Sequence, residues 1–405
     1  MRRLLGFVLL ALLSACGTLT PPTSTPASAP ATATAAPAAP TATPSSVDKL
    51  RIWLPPQFAP SADTPAASIL KARLDAFVEA HPGLTLEIRI KGSQDDPSLL
   101  ETLLLTRSAA PDVLPDLVAF SRADLEAAAF KGLVHPLSGL TDLQSGPDWY
   151  PYARQLGQVQ NTPYGLPFSG DVLALACRPE EFEQSPAAWQ DLFDARRTLA
   201  VSSGNPDSYL QLSLYLSTGS ALLDEANHPM LEEEALARVL RELDAGSLVA
   251  VGSEDAAWNA FVDGRASLTL TWASRFLLDP PPDSALMPLP GLDGTPLTLA
   301  TGWVWALAGS DPRTDALTLE LAEWLVDDEF LAEWNQSMGT LPPRPIAMSA
   351  TDPSGRLNSI SEAAQILPTN DLILTVGPIF QETLGRILNG ENADVVAKEA
   401  VEAMK

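Results

Sequence analysis

The side chains that most often carry catalysis are sparse in this 405-residue chain. Its three histidines, His81, His135 and His228, are each followed by proline, which points to turns. No other ligand stands at metal-binding spacing from any of them, so neither a metal nor a cofactor is expected. There is no Gly-rich phosphate loop, no Gly-x-Ser-x-Gly elbow and no His-Glu-x-x-His. The pattern is that of a protein that is not an enzyme. One catalytic chemistry stays open. The chain carries 50 Asp and Glu residues, and a pair of carboxylates is what a glycoside hydrolase requires. Cys177 closes the apolar run 172–177, which predicts a buried strand thiol with little reactivity.

The first residues concern the compartment. Arg2 and Arg3 precede the apolar run 4–13, and the small residues Ser14 and Ala15 precede Cys16. Charged, apolar, then small is the order of a secretory signal. The run is too short to span a bilayer, which takes roughly 20 apolar residues. The tetrad Leu13-Ser14-Ala15-Cys16 resembles the bacterial lipobox, which implies that residues 1–15 are a signal peptide and that Cys16 is lipidated. Two acyl chains hold a protein to a membrane where one holds it only marginally. With Cys16 acylated, Cys177 has no partner for a disulfide. Residues 16–46 are almost wholly Thr, Pro, Ala and Ser and uncharged. They cannot build a core and read as an extended tether. The expected location is outside the cell, on the outer face of the cytoplasmic membrane, attached through lipid alone.

The formal net charge is -25, and loss of Arg2 and Arg3 would take it to about -27. Such a surface repels polyphosphates, which excludes nucleic acid as a natural partner. Residues 47–405 are too many for one compact core and suit two lobes.

Strands and helices alternate from the start of that part. Leu50, Ile52 and Leu54 alternate as in a strand, Leu70, Leu74, Phe77 and Val78 fall at helical spacing, and Leu86, Ile88 and Ile90 alternate again. A helix over 98–106, a strand over 117–120 and a capping pair Ser121/Asp124 come next. Strands are further predicted over 171–177, 199–201, 266–272 and 302–308. Helices are predicted over 209–216, 231–243, 258–262, 314–326, 329–337, 379–388 and 393–403. This order implies an α/β fold with ligand space at the carboxyl ends of its strands.

Several segments together resemble extracellular solute-binding proteins of family 1, the importer receptors that include maltose-binding protein. Lys49-Leu50-Arg51-Ile52-Trp53 is similar to the family's first strand. Pro111-Asp112-Val113 is similar to its approach to the third strand. Gly132-Leu133-Val134-His135-Pro136-Leu137 is similar to the segment beyond that strand. Tyr164-Gly165-Leu166-Pro167-Phe168, leading into Asp171, resembles the first crossing between lobes. Phe261, Gly264, Ala266 and Trp272, then Pro288-Leu289-Pro290-Gly291, Gly302-Trp303 and Gly339-Thr340-Leu341-Pro342-Pro343-Arg344, continue in the family's order. The resemblance implies a two-lobed periplasmic-binding-protein type II fold with three crossings. It implies a first lobe from 47–168 with 302–340 and a second from 169–301 with 341–405.

It also implies a function: monomeric capture of a small solute by lobe closure, and delivery to the permease subunits of an ABC importer. Carried over position by position, the ligand residues are Trp53, Gln57, Phe120, Ser121, Arg122, Asp171, Asn205, Asp207, Tyr209, Trp272, Trp303 and Arg344. Trp305 stands two residues from Trp303, and one of the two is expected to belong to the core. The family's late aromatic platform has no counterpart, because Gly377-Pro378 stands about there. Flat aromatic faces with carboxylate and amide groups suit a sugar or oligosaccharide. The acidic members would equally suit a polyamine or other cation, and a cell-surface glycoside hydrolase is the third reading.

Overall fold

The structure, a computed structural model, describes residues 48–92, 97–182, 186–193, 197–309 and 312–404. The expected signal peptide, Cys16 and the tether lie outside the described residues.

Among the described residues twelve strands form in chain order: β1 Lys49–Leu54, β2 Thr85–Ile90, β3 Leu117–Ser121, β4 Gln158–Val159, β5 Thr162–Pro163, β6 Gly165–Cys177, β7 Leu199–Ser202, β8 Leu248–Val251, β9 Leu268–Trp272, β10 Ala285–Met287, β11 Thr298–Leu307 and β12 Ala364–Ile366. β4 and β5 make a small hairpin, turned by Gln160 and Asn161 at positive φ. The main path runs β2-β1-β3-β11-β6-β9-β7-β8, with β10 added to β6 and β12 to β11. β1, β2 and β3 are parallel, as are β7, β8 and β9. Each parallel set is the sheet of one lobe, and helices supply the crossovers that parallel strands require. The fold is the two-lobed α/β type with three crossings.

β6 and β11 are long because they serve both lobes. They pair antiparallel from Gly165 to Val172 on β6. Beyond that point β6 leaves β11 for β9, through Leu173–Cys177, while the far end of β11 joins β3. Alternation gives β6 two buried faces: Val172, Ala174 and Ala176 enter one core, and Leu173, Leu175 and Cys177 enter another. The Cys177 thiol is buried there, and burial pushes it up to about 11.

Local chemistry explains the first elements. Thr64 caps the helix Pro65–Ala80, whose proline sits where its missing N–H costs nothing. Ser98 and Glu101 form a full capping box on the helix Leu99–Ala109. One helix differs from the sequence reading. The helix near the C-terminus runs Asn370–Leu388, straight through Pro378, rather than starting after it. The proline leaves the carbonyl of Leu374 without a donor, and Leu374 is exposed, so water can serve that carbonyl. Meanwhile Leu372, Ile373, Val376 and Phe380 bury one continuous face. The helix Ala273–Leu278 and strands β10 and β12 are too short to leave a periodic signal in the sequence.

Candidate functional site

The crossing strands meet at two glycines. Gly170 of β6 lies opposite Gly302 of β11, flanked by the pairs Ser169/Trp303 and Asp171/Thr301. Neither glycine has room for a side chain. A Cβ on Gly302 would lie 2.2 Å from the Ser169 carbonyl oxygen, and one on Gly170 would lie 2.3 Å from the Tyr152 hydroxyl. The third crossing closes on the same point. Gly170 N–H donates to the Leu341 carbonyl at 2.7 Å, and Leu341 N–H donates back at 2.9 Å.

A cavity of about 320 Å³ opens over this junction. Gln57, Phe58, Ser121, Asp171, Trp303 and Thr340 are among its walls, with Ser169, Ser274, Thr301 and Met338. Trp303 stands edge-on to Phe58 with ring centroids 5.0 Å apart. Trp305, two residues on, shares that face of β11 but lies deeper, stacked on Phe168 at 4.3 Å and 2 % exposed within the core that Trp303 packs against. One of the two is indeed core, but depth along one face rather than a change of face separates them: Trp303 lines the cleft and Trp305 is buried. The Ser169 hydroxyl, 1 % exposed, has no hydrogen-bond partner.

Among the described residues, Asp171 is the one charged residue in the cavity's walls. Its Oδ1 accepts from the backbone N–H of Val172 and of Ser274, both at 3.0 Å, and its Oδ2 accepts from the Ser274 hydroxyl. It thus caps the helix Ala273–Leu278 from a neighbouring strand. Burial pushes its carboxyl up to about 6, against the pull of the hydrogen bonds from Ser274, Val172 and Ala273.

A second constellation lies in the β7–β9 lobe. The loop after β7 carries Asn205, Asp207 and Tyr209, and β9 ends at Trp272. Tyr209 and Trp272 meet edge to face at 5.5 Å. Asn205 donates to the Glu254 carboxylate, and its Oδ1 accepts from Asp207 N–H at 2.9 Å. Burial, then the neighbouring Asp207, raises the Tyr209 hydroxyl well above its usual range. Burial likewise raises Glu254, opposed by the Asn205 hydrogen bond. The loop rests on the helix Asn370–Leu388 at a glycine, for a Cβ on Gly377 would lie 2.1 Å from the Pro206 carbonyl oxygen. Gln381 of the same helix donates to the Ser203 carbonyl at 3.3 Å. An aromatic at 377 would displace this loop, which gives the missing platform a steric reason.

Four expected ligand residues are placed elsewhere. Trp53 is 1 % exposed within a core that contains Leu103 and Phe120, with the Lys91 ammonium 5.1 Å from its ring centre. Phe120 is fully buried in that core. Both are correct as strand residues, but their side chains take the inward face. Arg122 donates to the carbonyls of Gln155 at 2.7 Å, Leu156 at 3.1 Å and Gln158, and pairs with Glu126, so it ties the helix it begins to the 155–158 turn. Arg344 pairs with Asp148 at 2.9 Å and Asp328 at 2.8 Å and donates to the Val326 carbonyl. It braces the third crossing. Conversely, sequence reasoning misses Phe58, Ser169, Ser274, Thr340 and Glu254. Ser274 has a signal, standing two residues beyond Trp272 at a strand end, and Phe58 adjoins Gln57.

Among the described residues, no group of three or more His, Cys, Asp or Glu is placed to hold a metal ion. Nor is any helix long and apolar enough to cross a membrane.

Comparison with known proteins points the same way as the geometry. A family model described as bacterial extracellular solute-binding protein matches residues 72–354. No curated protein sequence matches the chain. Among solved structures, the extracellular solute-binding protein of Staphylococcus aureus in complex with maltose is 15 % identical, with a TM-score of 0.71 over 88 % of this chain and 96 % of that one. The sugar-binding protein MalE of Xanthomonas citri is 19 % identical, with a TM-score of 0.69 over 88 % and 96 %. A solute-binding protein of an ABC transporter from Thermotoga lettingae, bound with alpha-D-tagatose, is 18 % identical, with a TM-score of 0.60 over 88 % and 98 %. At these identities the likeness establishes the fold.

Proposed function

Because the chain belongs to the bacterial extracellular solute-binding protein family, we propose that it captures a sugar or oligosaccharide between its lobes and hands it to an ABC permease. The lobes are taken as 47–168 with 302–340 and 169–301 with 341–405. They close about the Gly170–Gly302–Leu341 junction as rigid bodies. The protein works as a monomer held outside the cell by acylated Cys16 and the 16–46 tether. Gln57, Ser121, Asp171 and Trp303 contact ligand at the floor, and Asn205, Asp207, Tyr209 and Trp272 contact it from the second lobe.

The observation that carries this reading is the make-up of the cleft floor. It offers an indole flank at Trp303 and neutral hydroxyl and amide groups, with one carboxylate already holding its own donors. A pyranose needs an apolar face for its C–H groups and a partner for each hydroxyl, since an unpaired buried one costs roughly 1–3 kcal/mol. A polyamine needs several free carboxylates. A retaining or inverting hydrolase needs two facing acids, and the floor supplies one.

The test is a thermal-shift screen of the mature protein over saccharides, polyamines and amino acids, followed by small-angle scattering with any hit. Saccharide at 100 times its dissociation constant should stabilise by about 2.7 kcal/mol and reduce the radius of gyration. Stabilisation by polyamines alone would overturn the ligand class, and an unchanged radius with bound saccharide would overturn closure.

A further inference from the structure

Behind the Tyr209–Trp272 pair lies a small second cavity of about 70 Å³. It adjoins the cleft through the segment from Trp272 to Ser274, whose two ends line the two cavities. Its volume exceeds what one water needs, roughly 10–15 Å³ on the same measure. The walls are of two kinds. Leu173, Ala200, Ala257 and Leu270 make an apolar side. Gln211, on the helix Tyr209–Ser217 and 3 % exposed, also lines it.

Gln211 is the telling residue. Its Nε2 is shielded from solvent and has no hydrogen-bond partner, and its amide makes no hydrogen bond to any described residue. The Ser202 hydroxyl, on the wall of the same cavity, is likewise unpartnered. A buried polar group left unpaired is costly, so native interiors rarely keep one without a partner from protein, water or ligand. The surroundings define the guest's chemistry. An anion would meet Glu254 and Asp207, while the nearest cation, Arg275, is already on Asp255 at 2.6 Å. An ammonium could pair with Glu254 and the Gln211 Oε1, but it would leave the Gln211 Nε2 donors and the apolar side without partners. A plain hydroxyl would leave the apolar side empty. What complements a free carboxamide is another amide, whose carbonyl accepts from it and whose N–H donates to it. An acetyl methyl then fits the apolar side.

We infer that this cavity receives the acetamido group of an N-acetylated amino sugar whose ring lies in the cleft against Trp272. The carbonyl oxygen accepts from Gln211 Nε2 and the Ser202 hydroxyl, and the methyl packs on Ala257 and Leu270. This inference rests on the saccharide reading and specifies its substrate class. A site built around hydrogen bonds to one substituent rejects the analogue that lacks it far more strongly than a merely apolar pocket does.

The experiment is calorimetry on the mature protein with N,N′-diacetylchitobiose (chitobiose below) and cellobiose, which share ring and linkage and differ in the acetamido groups. The wild type should prefer chitobiose at least tenfold. In Gln211→Leu, shown to be folded by its thermal transition, that ratio should fall towards one, and in Ser202→Ala it should fall partway. Equal wild-type affinities, or a preference untouched by both variants, would overturn the acetamido assignment and leave saccharide binding standing, with water alone in the cavity. Failure of both disaccharides and of every other saccharide in the panel would instead sink the saccharide reading, and this inference with it. Should Gln211→Leu fail to fold, the wild-type ratio and Ser202→Ala still decide.

Discussion

Asp171→Asn probes the cleft floor through pH. The carboxyl is pushed up to about 6 in the fold, against an ordinary value of 3.8. A group of that kind holds its proton more tightly folded than unfolded. Below pH 3.8 the proton is on in both states, and the carboxyl neither helps nor hinders folding. Between pH 3.8 and 6 the unfolded chain ionises first, so the folded state loses stability as the pH rises. Above 6 the loss is complete. At about 1.4 kcal/mol per pH unit, the gap amounts to about 3 kcal/mol. Asparagine preserves the capping. Its Oδ1 can still accept from the N–H groups of Val172 and Ser274, and its Nδ2 can donate to the Ser274 hydroxyl. Denaturant unfolding of both proteins from about pH 4 to about pH 7 should therefore show the variant gaining on the wild type by up to about 3 kcal/mol. A difference that stays flat with pH would mean that the carboxylate is not desolvated. A wild type that gains on the variant as the pH rises would mean that the capping hydrogen bonds outweigh burial, and the reasoning fails.

The two tryptophans of β11 should separate stability from binding. Trp305→Ala should cost about 3–5 kcal/mol in denaturant unfolding, whereas Trp303→Ala should cost less and weaken saccharide binding about thirtyfold by calorimetry; the reverse pattern would show that Trp303 is the core residue and Trp305 the cleft residue. Gly302→Ala should lower the thermal midpoint by several degrees, an overpacking cost of about 1–3 kcal/mol, because the Ser169 carbonyl belongs to backbone and cannot swing aside; an unchanged midpoint would refute that contact. Cys16→Ser should release the protein from the membrane or leave it unprocessed, and a normally processed variant retained at the wild-type level on fractionation would dispose of the lipid anchor.

Periodicity makes the parallel strands and their crossover helices legible, because each buries one face with a fixed spacing. It is less informative where burial is two-sided. The 172–177 run shows only that β6 is buried. That it deserts β11 for β9 at Leu173 depends on partners far along the chain. Local sterics disfavour Pro378 inside a helix and so suggest a boundary there. The apolar face of Asn370–Leu388 outweighs one lost hydrogen bond, a tertiary effect that no local window contains.

The site is legible by position more than by side chain. Strands can be located well enough that Trp272 at the end of β9, and Asp171 and Trp303 within the crossing strands, fall at cavities. Yet a strand end presents two faces, and one residue of register separates ligand platform from core. Trp53 and Phe120 take the inward face, where their area is worth most buried. Arginines mislead for another reason. Their five donors suit carbonyl clusters as well as ligands, and Arg122 and Arg344 spend theirs on holding backbone and carboxylates in place. Gln211 shows the converse. Nothing in its sequence setting, one of three polar residues with Ser213 and Ser217 in an otherwise apolar helix, distinguishes it. It becomes informative only when the fold removes water from its amide and puts no partner there. An unpaired buried donor is a property of the assembled lobe, so the feature that best specifies the substrate is the one the sequence could not display.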